Sequence, residues 1–595
     1  MKRTTRYLVL ALVVASCSIA LAESVPETVD ENDLATVVTT TGTFKGVPSP
    51  TDARTKMFLG IRYAAPPVGA LRWAPPQAPT PPAGTVVAST PGNACPQSDG
   101  APMQSEDCLF LNVYVPASAH PHSKLPVYYF IHGGRFTVGE GIWYDPSVLV
   151  AEHDIIVVTI NYRLGALGWL AEPGLVATAA NGFQNVGDSG DYGLMDQEFG
   201  LQWVQANIES FGGDPRKVTV GGHSAGGISV TNLLTSIDTA VGLFRAAIIE
   251  SGWFLGGSGQ PQAAYTKRVG APFEAALGCT PPTDAACLRS QSVENILNAQ
   301  GRVGIVLGTR MVPQDLSTAL STGQFIQVPI LHGSTANEER FQEPTAFPYF
   351  AAHSIVAAAG GPANYALSHS NPLCGRRAAC TYLQEINLAA NYLGIPTPMN
   401  TVSFDTLIAG KYPLANFPDS YLAADAASAD EALSQIATDL VVSCGTFDFS
   451  SQLARRVPVF AYEFNDPAAP PFNGFIIKPP NDSYGFPTAS EHGAEIQFLF
   501  TNWSRGHPLD AGEQQLAAQM KAYWANFVTS GDPNIGLTDR DSDFGGDERF
   551  HTRWYPFNTR QAVQDLVPGP AVPHPFYTFP TEHFCGIWEP FLSTQ

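Results

Sequence analysis

The sequence predicts an α/β fold, with a large and mostly parallel sheet flanked by helices. Short apolar runs rich in β-branched residues recur along the chain, and such runs are typical of strands buried on both faces of a sheet. Helical patterns lie between some of these runs, which is the alternation expected of parallel strands joined by helices. The predicted strands are residues 127–131, 155–160, 218–220, 246–249, 328–331 and 459–462, and the predicted helices include residues 196–211 and 225–235.

The composition indicates a large core and argues against a nucleic-acid partner. Of the 595 residues, 44% are hydrophobic and 14% are charged, whereas about 25% are charged in an average domain. The 32 Lys and Arg against 53 Asp and Glu leave a net charge of −21, and no basic run offsets it. Such a chain would repel a phosphate backbone.

The N-terminus has the features of a secretory signal peptide covering residues 1–22. Three basic residues precede an apolar run at residues 7–15, and small residues follow this run. The run is shorter than the roughly 20 residues that span a bilayer, and no later run is long enough to form a transmembrane segment. A lipoprotein signal is the alternative, because residues 14–17 resemble its cleavage box and would leave a lipid anchor on Cys17. Both alternatives predict export, to the extracellular space or the periplasm.

Removal of the signal leaves eight cysteines, an even number that predicts disulfides in an exported chain. Three pairs are close in sequence and one pair remains. The predicted bridges are Cys95–Cys108, Cys279–Cys287, Cys374–Cys380 and Cys444–Cys585. A metal site is the alternative, but no pair has the C-x-x-C spacing and no histidine lies at ligand spacing. We therefore expect disulfides and no metal.

A glycine-flanked serine follows one of the predicted strands. Gly222, Ser224 and Gly226 form a G-x-S-x-G pattern after residues 218–220 and at the start of the helix predicted at 225–235. This order fits a strand-to-helix elbow, in which a nucleophilic serine sits on a strained turn and the glycines relieve crowding. An ordinary glycine-rich turn would also contain the pattern, but the flanking elements favour the nucleophile.

A serine nucleophile needs a base for its proton and a site for the developing oxyanion. The segment at residues 132–136 follows a predicted strand and offers glycine N–H groups for that site, with a plain turn as the alternative. An acid and then a histidine are expected to follow the serine. Seven of the 13 histidines follow a mid-chain acid, and chemistry selects none of the 53 acids, so the residues alone leave acid and base open.

Motifs along nearly the whole mature chain occur in an order that resembles the type-B carboxylesterase/lipase family, which includes the cholinesterases. The matching segments are residues 58–64, 66–69, 71–73, 106–112, 161–163, 193–197, 211–215 and 527–534. The resemblance implies an α/β-hydrolase fold in which residues 23–595 form a single domain. It also implies hydrolysis of a small-molecule carboxylic ester through an acyl-enzyme, without a metal or an organic cofactor.

The resemblance also implies roles for individual residues. Ser224 matches the nucleophile, and His492 matches the general base. Glu338, rather than its neighbour Glu339, matches the acid that orients the histidine. Three backbone N–H groups match the oxyanion donors, those of Gly134, Arg135 and Ala225. The family shares three of the predicted disulfides, which leaves Cys374–Cys380 as an addition of this chain.

Two departures from the family bear on specificity. Many members have a third glycine or another small residue where this chain has Arg135. Cholinesterases have a tryptophan between the first two bridged cysteines, where its ring face binds the quaternary ammonium. Residues 96–107 of this chain contain no aromatic residue. A specialist for choline esters is therefore not expected.

Two other functions are alternatives to that of a general carboxylesterase. A catalytically inactive, esterase-like binding protein is disfavoured, because all three triad positions are filled. A lipase, or a hydrolase specialised for polyesters or toxin esters, is not distinguished by the sequence, since acyl and alcohol preference depend on the shapes of loops.

Overall fold

The computed structural model describes residues 36–98, 101, 103–175, 189–252, 259–279, 285–341, 410–413, 429–470, 472, 489–501, 508–534, 553–568, 575–576 and 578–592. The predicted signal peptide, Cys17 and the Cys374–Cys380 pair lie outside these residues. Within the described ranges, no helix has both the length and the apolar composition needed to cross a bilayer.

The strands are β1 (Thr36–Thr39), β2 (Gly42–Lys45), β3 (Val47–Pro48), β4 (Thr55–Arg62), β5 (Thr85–Val87), β6 (Phe110–Pro116), β7 (Leu125–Ile131), β8 (Ile156–Ile160), β9 (Gly213–His223), β10 (Ala246–Glu250), β11 (Gln260–Pro261), β12 (Val306–Leu307), β13 (Ile330–Thr335), β14 (Val459–Phe464), β15 (Val563–Leu566) and β16 (Pro575–Phe576).

The helices are α1 (Ser147–His153), α2 (Gly165–Trp169), α3 (Tyr192–Asn207), α4 (Ala225–Thr235), α5 (Gln262–Tyr265), α6 (Ala271–Ala276), α7 (Ala285–Ser290), α8 (Val293–Ala299), α9 (Leu316–Thr322), α10 (Ala429–Thr438), α11 (Cys444–Leu453), α12 (Ile496–Leu499), α13 (Ala511–Ser530), α14 (Phe557–Arg560), α15 (Phe579–Glu582) and α16 (Cys585–Leu592).

An eleven-stranded sheet organises the described part of the chain, in the order β16-β15-β14-β13-β10-β9-β7-β8-β6-β4-β3. The seven strands from β15 to β8 in this order pair in parallel, and the strands at both edges pair antiparallel. All six predicted strands are found in the parallel part. The fold class predicted from the sequence is therefore confirmed.

The predicted helix at residues 225–235 is α4, with the same ends. The helix predicted at residues 196–211 was less exact. Residues Ile208–Phe211 form a 3-10 turn, and α3 covers Tyr192–Asn207, so it begins and ends four residues earlier than predicted. The residue before it, Asp191, makes no side-chain cap to the helix. Its carboxylate instead accepts hydrogen bonds from the Val306 N–H and the Thr309 hydroxyl, each over 2.9 Å. Asp191 is a residue type that favours this position, but its carboxylate is used by tertiary contacts and does not cap the helix.

Apolar cores lie on both faces of the sheet. Along β7, Tyr129 packs into one core, and its neighbours Tyr128 and Phe130 pack into the other. Helices α3 and α4 contribute to the first core, whereas α1 and α13 contribute to the second. This layered arrangement explains why the central strands are continuous apolar runs rather than alternating ones.

Three of the predicted disulfides are present, Cys95–Cys108, Cys279–Cys287 and Cys444–Cys585. The first two close short loops. The third joins α11 to α16 across a separation of 141 residues. It therefore ties the C-terminal helix to the body of the domain.

Candidate active site

The carboxyl ends of three neighbouring central strands, β9, β10 and β13, lie side by side. Glu250, at the end of β10, pairs with His223 at the end of β9 and with Gly333 in β13. Because the strands are parallel, the segments that follow them leave the sheet side by side. The segment after β9 begins with Ser224, and the segment after β13 contains Glu338.

Ser224 occupies the turn between β9 and α4. Its backbone has φ 57° and ψ −122°, a conformation that residues other than glycine rarely adopt. A Cβ added to Gly226 would lie 2.0 Å from the carbonyl oxygen of Ile131, and one added to Gly222 would lie 2.5 Å from the carbonyl carbon of Gly226. The serine is therefore held on a strained and close-packed turn that only glycines on both sides permit.

The imidazole of His492 and the carboxylate of Glu338 are both buried and are joined by a hydrogen bond between Nδ1 and Oε2. A carboxylate only accepts, so Nδ1 donates, and Nε2 of the neutral ring is left as an acceptor. The backbone N–H of His492 also donates to the carbonyl of Glu338 over 3.3 Å. The carboxylate of Glu338 thus holds the imidazole of His492 in one orientation and one tautomer.

Two further groups donate to the other carboxylate oxygen of Glu338. The backbone N–H of Thr335 donates to Oε1 over 2.8 Å, and the hydroxyl of Ser251 donates to the same atom. The backbone N–H of Ser251 in turn donates to the Gly333 carbonyl over 2.8 Å. Sequence reasoning missed Ser251. Its place two residues after the strand predicted at residues 246–249 is the signal that could have identified it.

The ring of His492 packs against the ring of His223, the residue that precedes Ser224 in the elbow. The centroids of the two imidazole rings lie 4.7 Å apart, and the rings are inclined by 34°. The structure therefore joins the predicted acid and base by a hydrogen bond and packs the predicted base against the residue that precedes Ser224, from segments that are far apart in sequence.

The segment predicted to supply oxyanion donors packs directly on the elbow. A Cβ added to Gly133 would lie 3.0 Å from Cβ of Ser224. The next three residues all have positive φ, 113° at Gly134, 56° at Arg135 and 60° at Phe136. The Arg135 side chain is exposed, whereas the Phe136 ring is buried against Trp169 at a centroid distance of 4.2 Å. The loop is thus anchored by Phe136 and passes its backbone beside Ser224.

Two more buried glutamates lie near the acid. Glu250 accepts a hydrogen bond from Nε1 of Trp524 over 3.0 Å, and burial raises the pKa of Glu250 to about 8. Burial raises the pKa of Glu495 well above its usual range, and the charges of Glu338 and Glu250 raise it further. Burial thus favours the neutral form of both carboxyl groups beside Glu338. Sequence reasoning missed them, although Glu250 directly follows the strand predicted at residues 246–249 and Glu495 lies three residues after His492.

Glu338 and Glu339 have different surroundings. The backbone N–H of Glu339 donates to Oγ1 of Thr438 over 3.1 Å, and its side chain is buried. Burial and then the charge of Glu338 raise the pKa of Glu339 to about 8, while the charge of Arg135 lowers it. The exposed guanidinium of Arg135 thus acts on a carboxyl group next to the one that orients His492.

No group of three or more His, Cys, Asp or Glu side chains within the described ranges is arranged to hold a metal ion.

Comparison with known proteins relates these features to a family. The sequence profile described as "Carboxylesterase family" matches residues 33–567. Cocaine esterase of Homo sapiens is 31% identical over 505 residues, covering 81% of this chain and 80% of that protein. Para-nitrobenzyl esterase of Bacillus subtilis (strain 168) is 30% identical over 527 residues, covering 84% of this chain and 90% of that protein.

Solved structures agree with the sequence comparison. A PNB esterase superposes with a TM-score of 0.63 and 26% identity, over 89% of this chain and 96% of that one. A thermophilic PNB esterase superposes with a TM-score of 0.65, 26% identity and the same coverage. Profile, relatives and fold lead to one conclusion: the chain belongs to the carboxylesterase family and is a carboxylic ester hydrolase.

Proposed function

We propose that this enzyme hydrolyses small-molecule carboxylic esters through an acyl-enzyme formed on Ser224. The single observation that carries the proposal is the hydrogen bond between Nδ1 of His492 and Glu338, beside the strained elbow that bears Ser224. A histidine held in this tautomer has Nε2 available as a base. The strained turn at Ser224 is the conformation expected of a nucleophile elbow, and it supports this assignment.

In the first half of the reaction, Nε2 of His492 takes the proton from the hydroxyl of Ser224 as its oxygen attacks the ester carbonyl. The carbonyl oxygen becomes negative in the tetrahedral intermediate. Backbone N–H groups of Gly134, Arg135 and Ala225 donate hydrogen bonds to it. The imidazolium of His492 then protonates the leaving alcohol, and Ser224 retains the acyl group.

The second half repeats these steps with water as the nucleophile. His492 takes a proton from water, whose oxygen attacks the acyl carbon, and then returns the proton to Ser224 as the carboxylic acid leaves. Glu338 stays ionised and stabilises the imidazolium each time it forms. Three donors hold that carboxylate in place, the Thr335 N–H, the Ser251 hydroxyl and His492 itself.

We also propose that the protein is exported, with residues 1–22 removed as a signal peptide and residues 23–595 folding as one domain. Three disulfides support an oxidising compartment, because such bridges rarely persist in a reducing cytosol. Mass determination of the natively produced protein tests this. An N-terminus after residue 22 supports the proposal, and a lipidated Cys17 would identify the lipoprotein alternative.

Covalent labelling tests the nucleophile. A fluorophosphonate should modify the protein once, on the peptide carrying Ser224, with loss of fluoride and formation of a serine–phosphorus bond. Ser224→Ala should abolish labelling and lower kcat at least about 10³-fold, because covalent catalysis is lost. Ser229→Ala is the matched control, since this buried serine of α4 donates only to the Ala225 carbonyl. Labelling of another serine would overturn the proposal.

A further inference from the structure

His223 lies at the centre of the site without belonging to the proposed triad. It is the last residue of β9 and precedes Ser224. Its ring packs against that of His492, with the centroids 4.7 Å apart. The ring of Phe472 meets it edge-on at 5.8 Å. His223 is fully buried among these neighbours.

Two glycines allow separate loops to close on His223. A Cβ added to Gly133, in the loop before the oxyanion donors, would lie 2.8 Å from the carbonyl oxygen of His223 and 3.1 Å from its Nδ1. A Cβ added to Gly493, directly after His492, would lie 3.1 Å from Cε1 of His223. The ring is therefore in contact with both the loop of the base and the loop of the oxyanion donors.

The contacts of His223 are made by its ring surface and not by its nitrogens. Within the part of the chain that the structure describes, neither Nδ1 nor Nε2 of His223 has a hydrogen-bond partner. Burial lowers the pKa of His223 well below its usual range, and the neighbouring His492 lowers it further. The ring is thus uncharged, and it places no positive charge beside the imidazolium that His492 forms during the reaction.

One hydrogen bond does not determine the orientation of an imidazole. The bond to Glu338 fixes Nδ1 of His492, but the ring can still tilt about that contact. A second ring packed against its face restricts the tilt. Because misplacement of a reacting group by about 1 Å can cost about 10²-fold in rate, this restriction has a kinetic consequence.

We propose that His223 is a positioning residue, whose ring packs against His492 and keeps the general base in the plane that catalysis requires. The inference rests on the proposed triad. A positioning role differs from a direct chemical role, because it depends on the shape of the His223 ring and not on the ring nitrogens.

Three substitutions separate shape from polarity. His223→Ala removes the ring, His223→Asn keeps a polar group without a ring, and His223→Phe keeps a ring without nitrogens. We expect the alanine and asparagine variants to lower kcat for p-nitrophenyl acetate 10- to 100-fold, with KM within about threefold. The phenylalanine variant should stay within about fivefold of the wild-type kcat. Circular dichroism and thermal unfolding verify that each variant is folded.

Two outcomes would overturn the inference. In the first, His223→Asn keeps its kcat and His223→Phe loses it, which would show that a polar nitrogen and not the ring is needed. The other is a kcat within threefold of wild type for His223→Ala. If the alanine variant does not fold, the comparison of phenylalanine with asparagine decides the question. A parallel His492→Ala variant separates this result from the proposed triad, since retention of its activity would contradict the triad itself.

Discussion

The backbone N–H of Ser224 donates a hydrogen bond to the backbone carbonyl of Glu250 over 2.8 Å. This bond crosses from the elbow to the end of the neighbouring strand, so β10 supports the turn that carries the proposed nucleophile. The side chain of Glu250 is buried and accepts from Trp524 of α13. The protonation state of this buried carboxyl group therefore affects the free energy of unfolding.

The first prediction concerns Glu250 and pH. Burial raises the pKa of Glu250 to about 8, whereas an unfolded glutamate titrates near about 4.3. Between these values the folded protein holds a proton that the unfolded chain has lost, so the free energy of unfolding falls as pH rises. Glu250→Gln keeps the acceptor for Trp524 and should reduce that fall, measured by urea unfolding at pH 5 and pH 8. Part of the fall in the free energy of unfolding should remain in this variant, because the pKa values of Glu339 and Glu495 are also raised.

The exposed Glu294 of α8 offers a matched control for this measurement. Glu294→Gln should leave the fall between pH 5 and pH 8 unchanged. An undiminished fall in Glu250→Gln would show that this carboxyl group does not hold the extra proton.

The second prediction distinguishes the two adjacent glutamates. Glu338→Gln replaces the carboxylate bonded to His492, and kcat should fall about 10²–10⁴-fold with little change in KM, because control of the tautomer is lost. Glu339→Gln should remain within about tenfold, an effect of at most about 1.4 kcal/mol on the barrier. Steady-state kinetics with a p-nitrophenyl ester measure both. The opposite ranking would make Glu339 the acid.

The third prediction concerns Arg135. Its backbone N–H is the proposed oxyanion donor, its φ is 56°, and its side chain is exposed. Arg135→Ala keeps the N–H group, so kcat on neutral esters should stay within about tenfold. Arg135→Gly also keeps it and adopts positive φ without strain, which makes it the matched comparison. A loss of a hundredfold or more in both variants would assign the role to the side chain. A loss confined to anionic esters would indicate recognition of substrate charge.

The fourth prediction concerns His583, which links the C-terminal region to the sheet. Its Nδ1 lies 2.7 Å from Asp439, and its Nε2 lies 2.9 Å from Glu463 of β14. Burial lowers the pKa of His583, but these carboxylates more than offset it and raise the pKa well above its usual range. The fold therefore favours the charged form of His583 at neutral pH, and this contribution to stability is lost as pH rises through the raised pKa.

His583→Gln leaves both carboxylates buried without their cation. The free energy of unfolding at pH 7 should fall by about 3–5 kcal/mol, as when one partner of a buried ion pair is removed. His122→Gln is the control, because His122 is exposed. Chemical unfolding with the Cys444–Cys585 bridge intact provides the measurement. Equal stability of the two variants would contradict the assignment.

The fifth prediction concerns choline esters. Residues 96–107 supply no aromatic ring face for a quaternary ammonium, so binding lacks an attraction of roughly 0.5–2 kcal/mol. Acetylthiocholine should be hydrolysed no better than an uncharged thioester of similar size. A clear preference for acetylthiocholine would show that an aromatic residue elsewhere binds the cation.

Local patterns were sufficient for the parallel strands and for the elbow. Strands such as β7 and β8 are recognisable because both of their faces are buried, which leaves a continuous apolar run. The elbow is recognisable because the turn at Ser224 tolerates only glycine on either side. In each case the physical constraint acts between neighbours in the chain. The start of α3 is different, because the carboxylate of Asp191 accepts from Val306, a residue more than a hundred positions away, and does not cap the helix.

The sequence by itself determined the fold class, the family resemblance and the strand-to-helix turn at Ser224, since each is encoded in short and ordered motifs. The tertiary structure decided which groups meet. Glu338 and His492 are separated by 154 positions, and Ser251 contacts Glu338 from a third segment. The register of β9, β10 and β13 sets these approaches, and the low polarity of the buried site sets the proton affinity of Glu250. Neither is a property of any local stretch of residues, because both arise only when distant segments pack together and exclude water.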